Sequence, residues 1–464
     1  MTNCKKHKID SSILREYDVR GVVGETLKTE DCYFIGRSFG SYLIKKGLKT
    51  AVVGYDGRES SEGFAGEVIK GLIDCGIDVK NIGLNPTPAV FYTVYEFKYD
   101  AGVIITGSHS PLQYNGIKMV LRDAPFYGEV VKDLGKTAEA GDFAEGKGSV
   151  ENLDVIDSYV ERLVRDFTGK RKLKIAWDNG NGAAGEVLRR MIKKLPGEHI
   201  VMFDEIDGTY PNHHADPSVE KNMLDLMKAV KDNNCDIGIA FDGDADRVGV
   251  VDEKGNIIWA DILLGIYASE VLKTHPGANI VFDVKCSRVL VDEITRLGGN
   301  PIIWTTGAAT LRPKMKDVNS PLSGELSGHI LFGDKYYGYD DGIYCGIRAI
   351  NLLASSDKKM SDYVAHLPKM KFTPEVRYHV PADRKFHIPE EIKQRLIKNN
   401  DENVSINDID GVRITTPEGW WLIRASNTED LLTMRAEAFD DAGLAKLKQE
   451  MIDQLKSSGI DFKF

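Results

Sequence analysis

At 464 residues the chain exceeds one ordinary core, and about three or four domains are expected. Its 42% hydrophobic and 28% charged content describes a soluble globular protein, and a net charge of −10 argues against non-specific nucleic-acid binding, which needs a basic face. Six cysteines without a C-x-x-C pair suggest free thiols in a reducing compartment; with no signal-peptide pattern and no apolar run near the roughly 18 residues of a membrane span, a cytoplasmic location is expected.

In chain order, Arg20 comes first, in Tyr17-Asp-Val-Arg20-Gly21. Taken alone it reads as a surface charge. Thr50-Ala-Val-Val-Gly-Tyr-Asp56-Gly57 is a strand running into a turn. Val103-Ile104-Ile105 is a β-branched run that reads as a core strand. Thr106-Gly107 breaks it, and Pro111 stops any immediate helix at Ser110. A rigid loop remains, presenting the Ser108 hydroxyl beside the titratable His109; a nucleophile and an ordinary β-turn are its two readings. Lys118, in Tyr114-Asn-Gly-Ile-Lys118, is a further basic candidate.

Leu173-Lys-Ile-Ala-Trp-Asp178 is a second strand, and Glu186 to Lys194 has helical spacing. Between them Gly180-Asn-Gly182-Ala-Ala-Gly185 matches G-x-G-x-x-G, and Asp204 lies about 20 residues on, as in a dinucleotide site. An NAD-dependent dehydrogenase is therefore a rival reading. It leaves the serine loop, the aspartates and the C-terminal arginine without roles, so the glycines are read as a tight strand–helix turn. His213-His214 sits in a proline-punctuated loop and reads as structural.

The apolar strand Asp236 to Phe241 runs into Asp242-Gly-Asp244-Ala-Asp246-Arg247. Three carboxylates at alternate positions repel one another unless a cation sits among them. Oxygen-only ligands favour Mg²⁺. Glu253 falls at the last ligand position of an EF-hand, but Arg247 stands where that turn requires glycine, and both flanks read as strands. Ala278-Asn-Ile-Val-Phe-Asp283-Val-Lys285 is a third strand. Gly324-Glu325-Leu-Ser327-Gly-His329 could grip vicinal hydroxyls, its glycines letting backbone approach a ligand. Residues 411–415, 419–426 and 431–438 alternate as strands before an amphipathic helix from Ala442. Arg424-Ala-Ser426-Asn427-Thr428 suits phosphate through a forked guanidinium, hydroxyls and an amide. A capped turn starting a short helix at Ser426 or Asn427 is the alternative.

The three strands ending at Asp56, Asp178 and Asp283 each precede a helical stretch and then a glycine-bearing functional loop. This repeat predicts three related α/β layered domains followed by a small α+β domain. The expected extents are 1–150, 151–255, 256–368 and 369–464. Ligands in such layers sit at strand ends, so loops from separate domains can line one cleft.

Together, Tyr17-Asp-Val-Arg20-Gly, Thr106-Gly-Ser-His-Ser-Pro111, Asp242-Gly-Asp-Ala-Asp-Arg247, Gly324-Glu-Leu-Ser-Gly-His329 and Arg424-Ala-Ser-Asn-Thr428 closely resemble the α-D-phosphohexomutase superfamily, in particular its phosphomannomutase/phosphoglucomutase group. The resemblance implies four domains around a central cleft. It implies reversible transfer of a phosphoryl group between the 1- and 6-positions of mannose and glucose phosphates, through a phosphoserine at Ser108 and a hexose 1,6-bisphosphate. Mg²⁺ would be held by Ser108, Asp242, Asp244 and Asp246. Tyr17, Lys285, Glu325, Ser327 and His329 would bind substrate, and Arg424, Ser426, Asn427 and Thr428 would clamp the non-reacting phosphate. Arg20, His109, Lys118, Arg247 and His329 would supply charge or proton transfer, and motion of the C-terminal domain would let the intermediate turn. The implied partners are small hexose phosphates, with no nucleic acid or membrane, on a monomer or weak oligomer. Three positions depart from the family pattern: Ser110 stands where asparagine is usual, Ala308 where histidine is common, and Asp430 where proline usually follows Glu429. Glu325-Leu-Ser327 is similar to the Glu-Met-Ser of this group; phosphoglucosamine mutases, the second choice, carry glutamine at the middle position.

Overall fold

The computed structural model describes residues 6–381, 383–399, 401–426 and 430–464. The first sheet-bearing unit comprises β1 (Asp18–Val22), α1 (Thr29–Lys45), β2 (Thr50–Tyr55), α2 (Ser61–Asp74), β3 (Asp78–Leu84), α3 (Thr87–Glu96), β4 (Ala101–Ile105), β5 (Tyr114–Leu121), α4 (Glu129–Ala140) and β6 (Val150–Asn152). Its strand order is β1-β5-β4-β2-β3-β6. All five residues of β4 are buried, which is why that segment reads as a continuous β-branched run. Helices α1 and α2 meet through glycines. A Cβ on Gly36 would come within 2.4 Å of the Val68 carbonyl oxygen, and one on Gly71 within 2.3 Å of that of Tyr33.

The second unit comprises α5 (Ile156–Val164), β7 (Leu173–Asp178), α6 (Gly185–Met191), β8 (Gly197–Met202), α7 (Leu224–Asn233), β9 (Ile237–Phe241), β10 (Val248–Asp252) and β11 (Ile257–Ile258), in the order β11-β10-β9-β7-β8. The helix anticipated through Lys194 stops at Met191, and residues 192–194 form a 3₁₀ turn. Pro196 drives the residue before it into extended geometry, and Leu195 sits at φ −101°, ψ 140°.

The third unit comprises α8 (Ala260–Thr274), β12 (Asn279–Asp283), α9 (Arg288–Arg296), β13 (Asn300–Trp304), α10 (Ala308–Asp317), β14 (Leu322–Gly324), β15 (Ile330–Phe332), α11 (Gly342–Ala354) and α12 (Met360–Val364), in the order β13-β12-β14-β15. Its α11 covers the second sheet: Gly346 leaves room for Ile239 and Trp177, whose atoms would lie 3.1 and 3.4 Å from an added Cβ. The second and third units consequently share one continuous apolar core, which also takes in α3 and one face of the first sheet. The fourth unit is β16 (Lys371–Phe372), β17 (Val376–His379), α13 (His387–Asn399), β18 (Ser405–Asn407), β19 (Val412–Thr415), β20 (Gly419–Ala425), β21 (Leu431–Ala438) and α14 (Asp441–Ser457). Its sheet is antiparallel throughout.

The threefold repeat is visible in the pairing. In the first three units a parallel pair (β2/β4, β7/β9, β12/β14) is extended by an antiparallel strand (β5, β10, β15). Residues 106–113, 242–247 and 325–329 are the three loops that join β4 to β5, β9 to β10 and β14 to β15. They leave the carboxyl ends of equivalent strands, where open α/β sheets bind ligands. The fourth sheet docks on the third unit through one face. Trp420 and Leu422, two residues apart on β20, bury against Val284, while the opposite face of that strand, Trp421 and Ile423, packs in the unit's own core.

Candidate active site

Ser108 lies at φ +47°, left-handed geometry that a non-glycine residue holds only when its surroundings impose it. Arg58, 5% exposed, imposes it. Its guanidinium donates to the carbonyls of Ser108 (3.0 Å), Ser110 (2.7 Å), Pro111 (3.0 Å) and Tyr114 (2.9 Å). Gly107 must be glycine because a Cβ would fall 2.2 Å from Arg58 Nε. The Gly107 N–H donates to Asp56 (3.0 Å) and that of Ser108 to Thr106 Oγ1 (2.8 Å). Arg20 donates to the Gly107 carbonyl (2.8 Å) and to Ser110 Oγ (2.6 Å) and pairs with Asp18 (2.6 Å). From the second unit, His214 Nε2 donates to the His109 carbonyl at 2.5 Å, and His213 meets Asp178 (3.0 Å). The double histidine is structural, as expected, but half of it supports the serine loop.

The Ser108 hydroxyl donates to Asp242 Oδ2 at 2.8 Å, joining the first and second units. Asp244 accepts from Thr87 Oγ1 (2.5 Å) and Lys118 Nζ (2.7 Å), and Asp246 accepts from the same ammonium (2.5 Å). Burial and the two neighbouring carboxylates push Asp242 well above the usual carboxylate range. Burial opposes ionisation of Asp244 too, but Lys118, Thr87 and Ser108 outweigh it and lower its pKa. One oxygen of Asp244 and one of Asp246 are buried without a hydrogen-bond partner, and all three aspartates offer oxygens within 4.8 Å of one another. Orphaned carboxylate oxygens in a converging set fit a hard divalent cation.

Beside this cluster His329 Nδ1 lies 2.9 Å from Asp340 and 3.5 Å from Asp246. Burial disfavours the imidazolium, yet these carboxylates draw it up to about 9. Arg247 Nε sits 3.0 Å from His329 Nε2, a contact suited to the neutral ring. The two carboxylates against Nδ1 pull the other way and favour the protonated ring. His109 behaves oppositely: burial first, and then Arg247, hold it down at about 3, although Asp216 lies 3.2 Å from its Nδ1.

Glu325 accepts from Ser327 Oγ (3.0 Å) and from the Gly307 N–H (3.1 Å). Burial raises its pKa. Lys285 Nζ is 3.2 Å from Glu375 and 3.7 Å from Asp283. Burial would raise Glu375, but Lys285 and Arg377 hold it at about 2. Tyr17 donates to the Thr306 carbonyl (2.7 Å), crossing from the first unit to the third. Arg424, at the end of β20, lies 3.1 Å from Asp410, and the Ser426 N–H donates to the Leu431 carbonyl (2.9 Å). Asn427 and Thr428 lie outside the described residues.

The dinucleotide alternative has no support in the geometry. Asp204 is bound by Arg189 (2.7 Å), and a Cβ on Gly185 would meet the Asp204 carbonyl oxygen at 2.0 Å, so these glycines serve close packing. Glu253, the other rival ligand, accepts from Ser361 (2.6 Å). Sequence reasoning missed Arg58, Thr87, Asp216, Asp340, Glu375 and Asp410. The repeat held a clue to their kind: the strand-end aspartates Asp56 and Asp283 brace the loops, accepting from the N–H groups of Gly107 and Leu326 (3.0 and 3.1 Å). All five described cysteines are free and buried, and no helix among the described residues is long and apolar enough to cross a membrane.

Fold and site together define a multidomain α/β enzyme with a serine, an acidic cluster and basic groups converging from four units. Four family descriptions match consecutive stretches: Phosphoglucomutase/phosphomannomutase, alpha/beta/alpha domain I over residues 11–145, domain II over 157–255 and domain III over 259–370, and the C-terminal domain over 375–454. The chain is 41% identical over 458 residues to a Phosphomannomutase/phosphoglucomutase of Pseudomonas aeruginosa, covering 98% of both chains. It is 38% identical to a Phosphoglucomutase of Neisseria gonorrhoeae, covering 97% of this chain and 98% of that one. The crystal structure of a Phosphoglucomutase/phosphomannomutase family protein from Burkholderia thailandensis superposes with a TM-score of 0.91 at 38% identity, covering 98% of this chain and 99% of that one. The chain belongs to the phosphoglucomutase/phosphomannomutase family, within the α-D-phosphohexomutase superfamily.

Proposed function

We propose that this enzyme moves a phosphoryl group between the 1- and 6-positions of mannose and glucose phosphates through a phosphoserine at Ser108. The observation that carries the reading is the Ser108 hydroxyl, 2.8 Å from Asp242 at the edge of the acidic cluster. Asp242, Asp244 and Asp246 are the groups that would hold Mg²⁺, which when bound neutralises charge on a transferring phosphoryl group. Around it, Arg20, Lys118 and Arg247 offer fixed positive charge to phosphoryl oxygens. Glu325 and Ser327 hold sugar hydroxyls. Lys285 is the sugar-side cation. Arg424 and Ser426 grip the phosphate that does not react, together with Asn427 and Thr428. His329, drawn up to about 9 by Asp246 and Asp340 despite its burial, holds a proton that it can lend to the sugar oxygen leaving or entering the reaction.

Turnover requires the sugar 1,6-bisphosphate to reverse end for end, so a symmetric demand falls on the sugar loop and the phosphate clamp. A cytoplasmic setting, small-molecule partners only, and a monomer or weak oligomer belong to the same proposal. The test is a coupled assay of mannose, glucose and glucosamine 1-phosphates with a trace of bisphosphate activator. Wild type should turn over mannose and glucose substrates fastest, should stop with EDTA and should recover with Mg²⁺. Ser108→Ala should be inactive and carry no phosphate by intact mass. Full turnover by Ser108→Ala would overturn the phosphoserine reading, and a preference for glucosamine 1-phosphate would overturn the substrate assignment.

A further inference from the structure

One carboxylate, Asp410, faces both the phosphate clamp and the wall of the sugar site. Its Oδ2 accepts from the Thr306 N–H (3.0 Å) and lies 3.1 Å from Arg424 Nε. Thr306 is itself shared among units. Its hydroxyl donates to Asp283 (3.2 Å), its carbonyl accepts from Tyr17 (2.7 Å), and the next N–H, that of Gly307, donates to the sugar-loop carboxylate Glu325 (3.1 Å). A continuous path therefore runs Arg424–Asp410–Thr306–Gly307–Glu325.

The backbone is shaped to keep Asp410 there. Gly411 sits at φ +81°, and a Cβ on it would come 2.5 Å from Arg424 Cβ and from the Ile423 carbonyl oxygen, so the turn is pressed directly onto β20. Arg424 and Asp410 are nearly buried, with side chains 7% and 10% exposed. An arginine paired through Nε keeps its two terminal amino groups free to address a second anion as a fork. Three residues after Asp410, Arg413 anchors the segment independently, donating to the carbonyls of Val284 (2.6 Å) and Cys286 (2.8 Å). Neutralising Asp410 therefore leaves the docking of the fourth unit in place.

We propose that Asp410 is a positioning residue. It aims Arg424 at the non-reacting phosphate and, through Thr306, ties that aim to the sugar loop. The proposal rests on the reading of Arg424 as a phosphate ligand. Because the non-reacting phosphate occupies the clamp in both substrate orientations, loss of Asp410 weakens 1- and 6-phosphates alike.

A double-mutant cycle on the full-length, Mg²⁺-loaded enzyme tests it, reading the Kd of the non-isomerisable 1-deoxyglucose 6-phosphate by calorimetry. Asp410→Asn keeps an oxygen for the Thr306 N–H and removes only the charge. It should weaken binding about tenfold, the scale of one charge-assisted contact, and raise KM more than it lowers kcat. Arg424→Gln should weaken binding further, and the double variant should bind no worse than Arg424→Gln alone. Effects that multiply, or an unchanged Kd in Asp410→Asn, would overturn the proposal. An unchanged Kd in Arg424→Gln would instead remove the phosphate-clamp reading on which it stands. Should Asp410→Asn not fold, Asp410→Ser, which also offers Thr306 an oxygen, takes its place in the cycle.

Discussion

A serine in left-handed geometry carries roughly 1–3 kcal/mol of strain, and Ser108 is kept there by one arginine that fills four carbonyl acceptors. Lysine has a point charge and no fork, so Arg58→Lys should release part of the loop. The expected result is a kcat lowered on the order of ten- to a hundredfold, the equivalent of one or two charged hydrogen bonds, with KM changed far less. Steady-state kinetics decides it, and an unaltered kcat would show that the loop holds its shape without Arg58. Ser108 itself could be read from the chain, since a hydroxyl on a turn after a buried strand has a local signature. Arg58 could not, because the four acceptors through which it shapes the loop are backbone carbonyls, which every residue possesses. Arg20 and Lys118 illustrate the same limit: each read as a surface charge until the serine loop and the aspartates were brought against them.

Among elements, the repeat was legible because each strand ends in aspartate before a glycine-bearing loop, and the pairing of β2/β4/β5, β7/β9/β10 and β12/β14/β15 reproduces it. What could not be read was the lending of α11 to the second unit, since helical periodicity marks an apolar face but not the sheet that receives it. Asp341 caps that helix, accepting from the Tyr344 N–H (2.9 Å), and takes hydroxyls from Tyr159 and Tyr336 (both 2.8 Å). Burial raises its carboxyl from 3.8 to about 6, outweighing those hydrogen bonds. The folded protein thus binds this proton more tightly than the unfolded chain. Its stabilising contribution is full below pH 4, falls between pH 4 and 6 and is absent above. The size is about 3 kcal/mol. Asp341→Asn does not titrate, so the unfolding free energy of wild type relative to the variant should drop by that amount between pH 4 and 7. Urea titrations across this range measure it, and a difference independent of pH would refute the assignment.

At the scale of the molecule, a chain of net charge −10 gathers Arg20, Lys118, Arg247, Lys285 and Arg424 into one region contributed by four units, the local concentration of cations that an anionic substrate demands. The first unit reaches the third there through the Tyr17 hydroxyl. Tyr17→Phe deletes that link, so in the absence of ligand its radius of gyration by X-ray scattering should exceed that of wild type at an unchanged melting temperature. Identical scattering would mean that the cleft is held by other contacts.

The fourth unit grips the third in an unusual manner: Arg413 and Arg435 bind the carbonyls of Val284, Lys285 and Cys286, not their side chains. Those three contacts read only the peptide bond, while side chains add a second hold: Trp420 and Leu422 pack on Val284, and Lys285 pairs with Glu375. A substitution at 285 would therefore remove the ion pair with Glu375 and leave the backbone contacts that hold the fourth unit. Such an interface divides its labour, peptide groups fixing where the docked unit sits and side chains adding to how tightly it is held.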